Sequence, residues 1–108
     1  IKEMIKYKGH SVYPREVEEV LYEHPAVLEC CVIGVENPIK GEDIKACIVL
    51  REKYKDKVSE QEIINWAKEN IAAYMYPRIV EFVSNLPKSP AGKVLRRRLR
   101  ENETKKKK

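Results

Sequence analysis

The sequence predicts an α+β domain, in which a short N-terminal hairpin and a small central three-stranded sheet are flanked by helices. Three observations support this class. Two neighbouring apolar stretches are rich in β-branched residues, a helix-start signature stands at Ser59, and 108 residues suit a single domain. With 43% hydrophobic residues the chain can fill one core between a sheet and helices.

The first half of the chain alternates between turn signals and apolar runs. Residues 1–13 alternate loosely around Gly9, which predicts a hairpin with a positive-φ turn. Pro14, followed by acidic residues, predicts the first turn of a helix. Residues 27–35 are almost entirely apolar, as is typical of a strand buried on both faces. The alternating residues 44–51 predict its antiparallel partner.

The second half carries one strong helix start and a weaker strand. Ser59 and Glu62 have the spacing of a capping box and predict a helix. Its apolar stripe, which we expect to face the core, is Ile63, Trp66, Ala67 and Ile71. Residues 79–84 predict a third strand, and a short helix follows. We therefore expect a domain over residues 1–101, cut from a longer protein, and a basic tail without regular structure over residues 102–108.

Charge and cysteine content narrow the class of protein. The net charge of +5 comes mostly from arginines and lysines near the end of the chain. The three cysteines lie in apolar runs, and the neighbours Cys30 and Cys31 should point to opposite faces of a strand. We therefore expect buried, reduced thiols and a cytoplasmic location. His10 and His24 lack ligand spacing, so no metal site is predicted, and no apolar run has the length of a transmembrane helix.

One loop, residues 86–100 with the sequence LPKSPAGKVLRRRLR, could present a charge to a ligand. Pro87 and Pro90 stiffen it, and Gly92 permits close approach or positive φ next to Lys93. A single ammonium on such a loop is suited to neutralising charge that builds on a phosphoryl or carboxylate oxygen. An ordinary lysine at the start of a solvated basic helix is the alternative, and residue types alone favour it.

Two stretches give the sequence a family resemblance. "LPKSPAGKVLRR" resembles the terminal motif of the adenylate-forming superfamily, in which Gly-Lys follows a proline at the spacing of Pro87, Gly92 and Lys93. "IKEMIKYKGHSVYPREVEEVL" is similar to the stretch after the interdomain hinge of these enzymes, and residues 24–50 are similar to the core hairpin that follows it. The resemblance covers the chain to about Glu101 and implies the mobile C-terminal lid domain of a longer ligase.

The resemblance also implies an activity for the full enzyme, an acyl-CoA synthetase for a fatty acid or a related acid. Acid and MgATP give an acyl-adenylate and pyrophosphate, and the thiol of CoA then displaces AMP. A large N-terminal domain holds most of the ATP and acyl pocket, while the lid swings between two poses. In the first pose Lys93 is the catalytic lysine that meets the carboxylate and the α-phosphate. In the second, the turn at Lys8 and Gly9 lines the pantetheine tunnel, and the isolated domain is expected to be inactive.

Further site residues are implied by matching positions. Lys2 matches the hinge, where large changes of φ and ψ must be absorbed. Lys68 stands where some relatives carry a basic residue that contacts the CoA nucleotide, although an ordinary exposed lysine is an equal alternative. Ser11 stands where several relatives have an arginine. A CoA phosphate contact there would have to come from a lysine such as Lys6 or Lys8.

Other interpretations stay open. A basic nucleic-acid-binding module would use the arginine-rich terminal helix, but no aromatic platform interleaves with its basic residues. The same fold could also be a non-catalytic interaction module, and related adenylation domains load a carrier protein instead of CoA. The run from Arg96 to Arg98, with Arg100, is expected either to contact acidic surface of the N-terminal domain or to be a solvated face.

Overall fold

Residues 3–106 are described by the computed structural model, which contains five strands and three α-helices within that range. The strands are β1 Ile5–Tyr7, β2 His10–Val12, β3 Val27–Asn37, β4 Gly41–Leu50 and β5 Ile79–Phe82. The helices are α1 Pro14–Leu21, α2 Glu60–Asn70 and α3 Arg96–Lys106, and a 3-10 turn spans Glu52–Tyr54. None of the helices in this range is long and apolar enough to cross a bilayer. The element order confirms the predicted α+β class.

The strands form one sheet in the order β2-β1-β4-β3, with β5 also paired to β4. β3 and β4 are antiparallel, as predicted, in a register that pairs Cys31 with Cys47. β5 runs parallel to β4. The N-terminal hairpin joins the sheet where Tyr7 pairs with Gly41 at the start of β4. The predicted three-stranded sheet is therefore β3-β4-β5, and the hairpin extends it to five strands.

Helices cover both faces of the sheet, which explains why β3 is apolar at nearly every position. In the first core, α1 and α2 pack against the face that contains Cys30. In the second core, Leu99 of α3 packs against the face that contains Cys31 and Ile33. The two neighbouring cysteines thus face different cores, as predicted, and both are free thiols. Burial raises the pKa of the Cys31 thiol to about 12, which keeps it protonated and unreactive.

The start of α2 follows its local signal. The Glu62 N–H donates to Ser59 Oγ at 3.0 Å, and the Ser59 N–H donates to Glu62 Oε1 at 3.1 Å. This is the predicted capping box, which satisfies two amides that the helix itself leaves unpaired. The expected core stripe is present: Ile63, Ala67 and Ile71 are buried, and Trp66 packs against them partly exposed.

The last helix extends further than the sequence indicates. α3 continues to Lys106, whereas the sequence predicts a tail without regular structure over residues 102–108. Lys45 is buried in β4 and donates to Glu103 of α3 and to Glu81 of β5, and Lys106 pairs with Glu81 at 3.2 Å. These partners are distant in sequence, so local composition alone did not reveal the extension. The boundary between domain and tail stays a prediction.

Side chains cover the outer edge of β3, which has a neighbouring strand on one side only. The Val32 N–H donates to Glu18 Oε2 at 2.7 Å, and the Val32 carbonyl accepts from Arg96 Nε at 3.1 Å. The Cys30 N–H donates to the Tyr22 hydroxyl at 3.2 Å. Glu18 of α1, Tyr22 directly after α1 and Arg96 of α3 thus provide the hydrogen bonds that a further strand would provide at the centre of this edge.

Candidate functional site

The loop between β5 and α3 is fixed at its base. Leu86 is buried in the second core, and the Leu95 N–H donates to the Pro87 carbonyl at 2.8 Å. Lys88 and Val94 form an isolated antiparallel bridge. The two arms of the loop therefore hold each other, and the residues between them form its tip.

The tip is a tight turn that ends next to Lys93. The Gly92 N–H donates to the Ser89 carbonyl, and the Ser89 N–H donates to the Lys93 carbonyl, each at 2.8 Å. Gly92 has a φ of +85°, and a Cβ there would meet nothing within 4 Å, so the backbone conformation rather than crowding favours glycine. The Lys93 N–H also donates to Ser89 Oγ at 3.3 Å. The backbone of Lys93 is therefore held on both its N–H and its carbonyl.

The Lys93 side chain, in contrast, is exposed, and its ammonium has no hydrogen bond or ion pair within residues 3–106. Lys88 of the same loop differs, since it donates to Glu29 Oε2 of β3 at 2.6 Å. One lysine thus attaches the loop to the sheet, and the other carries a charge that its own domain neither buries nor neutralises. Such a charge is available to an anion from outside the domain.

A second candidate surface is the turn of the N-terminal hairpin. Lys8 and Gly9 form the two-residue turn between β1 and β2, with φ of +49° and +83°. Positive φ at both positions is the conformation of a type I′ turn, so the predicted turn at Gly9 is confirmed. No atom lies within 4 Å of a Cβ built on Gly9, so bare backbone faces open space. The Lys8 N–H donates to the Lys40 carbonyl at 2.9 Å, which fixes the turn against the β3–β4 connection.

The remaining residues implied by the resemblance lie at separate places. Lys6 and Ser11 are cross-strand partners, and Lys6 Nζ donates to Ser11 Oγ at 3.1 Å, so Lys6 brings its charge to the position of Ser11. Lys68 is exposed in the last turn of α2 and makes no ion pair in the described part of the chain. Lys2 lies outside the described residues.

The sequence reasoning missed a basic and aromatic cluster beside the hairpin turn. The Tyr7 ring has Lys8 Nζ and Lys40 Nζ each 5.6 Å from its centroid. The Arg78 guanidinium lies 4.3 Å from the same centroid and 3.7 Å from that of Tyr76. An arginine that follows Tyr-Pro in a sequence is a weak signal for such stacking. The cluster adds two cations, from Lys40 and Arg78, to the surroundings of Lys8.

The two candidate surfaces lie at opposite ends of the β3–β4 hairpin. Lys88 of the loop pairs with Glu29 near the start of β3, whereas Lys8 bonds to the connection that follows Asn37 at the end of β3. At about 3.3 Å per residue, the strand between Glu29 and Asn37 spans roughly 26 Å. Lys93 and Gly9 therefore belong to surfaces that are attached near opposite ends of β3.

Comparison with known proteins identifies the chain. The family described as the AMP-binding enzyme C-terminal domain matches residues 16–93. The chain belongs to this family. A long-chain-fatty-acid–CoA ligase from Bacillus subtilis (strain 168) is 45% identical over 103 residues, which are 95% of this chain and 18% of that ligase. The resemblance inferred from the two sequence motifs is confirmed.

Solved structures share the fold of this AMP-binding C-terminal domain. An acyl-CoA synthetase from Brucella canis matches 98% of the chain with a TM-score of 0.91 and 35% identity, over 20% of its own length. A fatty acyl CoA synthetase from Mycobacterium tuberculosis matches 95% of the chain with a TM-score of 0.87 and 36% identity, again over 20% of its own length. The chain thus spans about a fifth of the proteins that it matches.

The arginine-rich start of α3 is engaged within this AMP-binding C-terminal domain. Arg96 pairs with Glu18 at 2.7 Å, and Arg96 and Arg100 pair with Glu3 at 3.2 and 2.6 Å. The partly buried Arg96 is therefore not part of a solvated face, whereas Arg100 is paired and still exposed. The expected contact of these arginines with another domain stays a prediction. Arg97 and Arg98 are exposed. The family match gives no support to the nucleic-acid-binding alternative.

Proposed function

We propose that the chain is the lid domain of an ATP-dependent acyl-CoA ligase that activates a fatty or related acid, with Lys93 as the catalytic lysine for adenylation. The observation that carries the proposal is an exposed ammonium, unpaired within residues 3–106, on a backbone held by hydrogen bonds. The match to a CoA ligase over 95% of the chain supports it. The rest of such a ligase would supply an N-terminal domain with the ATP and acyl pocket. The free thiols of the domain fit a cytoplasmic location, which is part of the proposal.

In the first half-reaction, a carboxylate oxygen of the acid attacks the α-phosphorus of ATP, and the bond to pyrophosphate breaks. Negative charge spreads over the α-phosphoryl oxygens in the transition state. Lys93, placed between the two anions, reduces their repulsion and stabilises this charge. Magnesium that accompanies ATP would be bound together with ATP in the pocket of the N-terminal domain.

The second half-reaction would use the opposite end of the domain. The thiol of CoA attacks the acyl carbonyl, and AMP leaves. Gly9 has no side chain, so the turn leaves room for the pantetheine arm. The proposed contacts to the CoA phosphates are Lys6 and Lys8, with Lys68 as a further candidate. Lys6 is directed towards the position of Ser11 by its hydrogen bond to the Ser11 hydroxyl.

A hinge at Lys2 would let the domain exchange its two surfaces at the active site. The attachment of the two surfaces near opposite ends of β3 supports such an exchange, because a static domain would then offer one of them at a time to the reacting carbonyl. A carrier-protein pantetheine would fit the same surface, and CoA is the proposed acceptor.

The test of the Lys93 assignment is Lys93→Ala in the full-length protein. Loss of one charge-stabilising group should lower ATP–pyrophosphate exchange about 100- to 1000-fold. Thioester formation from supplied acyl-adenylate should change by less than about threefold, since Lys93 is withdrawn in that step. The matched control is Lys57→Ala, which removes an exposed lysine from the β4–α2 connection. An equal loss in both half-reactions, or no loss in the first, would show the role to be wrong.

The CoA surface is tested in the same protein by Lys6→Ala. We expect a several-fold higher KM for CoA with unchanged exchange, because a phosphate contact contributes to binding rather than to chemistry. An unchanged KM for CoA would remove Lys6 from the site. If the enzyme turns over only with a pantetheine bound to a carrier protein, the acceptor is the carrier protein and not CoA.

A further inference from the structure

Arg96, the first residue of α3, joins four segments of the domain. Its Nε donates to the Val32 carbonyl of β3 at 3.1 Å, and its Nη2 donates to Glu18 Oε2 of α1 at 2.7 Å. Its Nη1 donates to Glu3 Oε2, ahead of β1, at 3.2 Å. Each nitrogen of one guanidinium therefore holds a different segment to the helix that directly follows the Lys93 loop.

The Glu3 carboxylate is held on both of its oxygens. Arg96 contacts Oε2, and Arg100, one helical turn later, contacts Oε1 at 2.6 Å. Glu3 directly follows Lys2, the position that the resemblance assigns to the hinge. The segment next to the proposed hinge is thus attached to α3 itself and not only to the sheet.

We propose that Arg96 is a positioning residue, which locks the Lys93 loop to the segment at Glu3 so that a turn at the hinge carries the Lys93 ammonium as part of one rigid body. This inference rests on the proposed function, in which Lys93 acts in adenylation and the domain turns between steps. Without the lock, the segment at Glu3 would move relative to α3, and the ammonium would reach the α-phosphate over a wider range of positions. A misplacement of about 1 Å can cost on the order of 100-fold in rate.

The lock depends on arginine rather than on positive charge alone. A lysine carries one compact ammonium and cannot reach three acceptors on three segments. Burial lowers the pKa of Arg96, but hydrogen bonds and charge from Glu18 and Glu3 raise that pKa above its ordinary value overall. The guanidinium therefore stays charged.

The test is a double-mutant cycle of Glu3→Gln and Arg96→Lys in the full-length protein. Glu3 is only partly buried and lies outside the strands, so Glu3→Gln leaves the core intact. We expect Glu3→Gln to lower kcat for adenylation about tenfold, with KM for acid and ATP within about twofold. Thioester formation from supplied acyl-adenylate should not change.

The other variants of the cycle distinguish loss of the Glu3–Arg96 contact from a general loss of stability. Arg96→Lys should lower adenylation at least as much, because it also loses the contacts to Val32 and Glu18. The loss in the double variant should be smaller than the product of the two single losses, because both changes remove the Glu3–Arg96 contact. The control Glu52→Gln breaks an exposed pair with Lys55 and should change nothing. Additive losses in the double variant, or equal losses in both half-reactions, would overturn the inference.

Amide hydrogen exchange in the loop gives a readout that does not depend on activity. In the 108-residue chain, Glu3→Gln should speed exchange at the Leu95 and Gly92 amides at least about fivefold and leave the amides of β4 unchanged. If Lys93→Ala abolishes adenylation but Glu3→Gln alters neither kcat nor loop exchange, the inference is wrong and the proposed function stands. If Lys93→Ala leaves adenylation intact, the proposed function fails, and faster loop exchange would still support the lock.

Discussion

Replacing Lys45 by methionine should destabilise the domain by about 2–3 kcal/mol, because α3 is attached to the sheet through this buried charge. Lys45 is 6% exposed, and its ammonium donates to Glu81 Oε1 at 2.6 Å and to Glu103 of α3. Removing one partner of a buried ion pair costs about 3–5 kcal/mol, since the remaining charge is left uncompensated. The side chains of Glu81 and Glu103 are 37% and 16% exposed, so solvent screening reduces the expected loss.

Urea unfolding of the chain, followed by far-UV circular dichroism, measures the loss as a lower midpoint at constant slope. Methionine keeps most of the lysine stem's volume, so a cavity contributes little. The matched control is Lys55→Met, which breaks an exposed pair with Glu52 and should cost less than about 0.5 kcal/mol. Adding Glu103→Gln to Lys45→Met should recover part of the loss, because the carboxylate without a counter-charge is gone. A loss no larger than that of Lys55→Met, or a double variant without recovery, would show that the Lys45 ion pairs do not hold α3 to the sheet.

Two further stability predictions concern α2 and the segment that precedes β3. Ser59→Ala removes the acceptor of the Glu62 N–H and should lower the free energy of unfolding in urea by about 1 kcal/mol. The control is Ser84→Ala at an exposed serine, and an equal loss there would contradict a capping effect. Burial lowers the pKa of His24, and its Nδ1 accepts from the Ala26 N–H at 3.0 Å, so the unfolded state binds more protons as the pH falls below about 6.5. This contribution to stability is complete above that pH and is lost as the pH falls towards the pKa of His24 in the folded state. His24→Asn keeps a hydrogen-bond acceptor and should abolish this pH dependence. Identical pH dependence of the unfolding free energy in wild type and variant would exclude the effect.

Local patterns predicted the elements and the hairpin turn at Gly9. The apolar run of β3 correctly indicated burial on both faces, because the spacing of apolar residues directly reflects which faces are covered. Ser59 and Glu62 indicated the start of α2, because their hydrogen bonds lie within one helical turn. The pairing of Lys6 with Ser11 could have been derived as well, since a two-residue turn at Lys8 and Gly9 fixes it.

Contacts between distant segments could not be predicted in this way. Glu3 and Arg96 are 93 residues apart, and Lys45 and Glu103 are 58 apart. No period in the sequence relates such partners, because they meet only after α3 has packed on the sheet. The arginine run therefore looked like a free basic surface, and the end of α3 looked like an unstructured tail.

The covered edge of β3 has a consequence for the order of synthesis. Val32 leaves the ribosome 64 residues before Arg96, whose guanidinium satisfies its carbonyl. Until α3 has emerged, the Val32 carbonyl lacks this partner, and that part of the edge of a long apolar strand is open to pairing with other chains. Completion of α3 would thus close the remaining part of this edge against self-association.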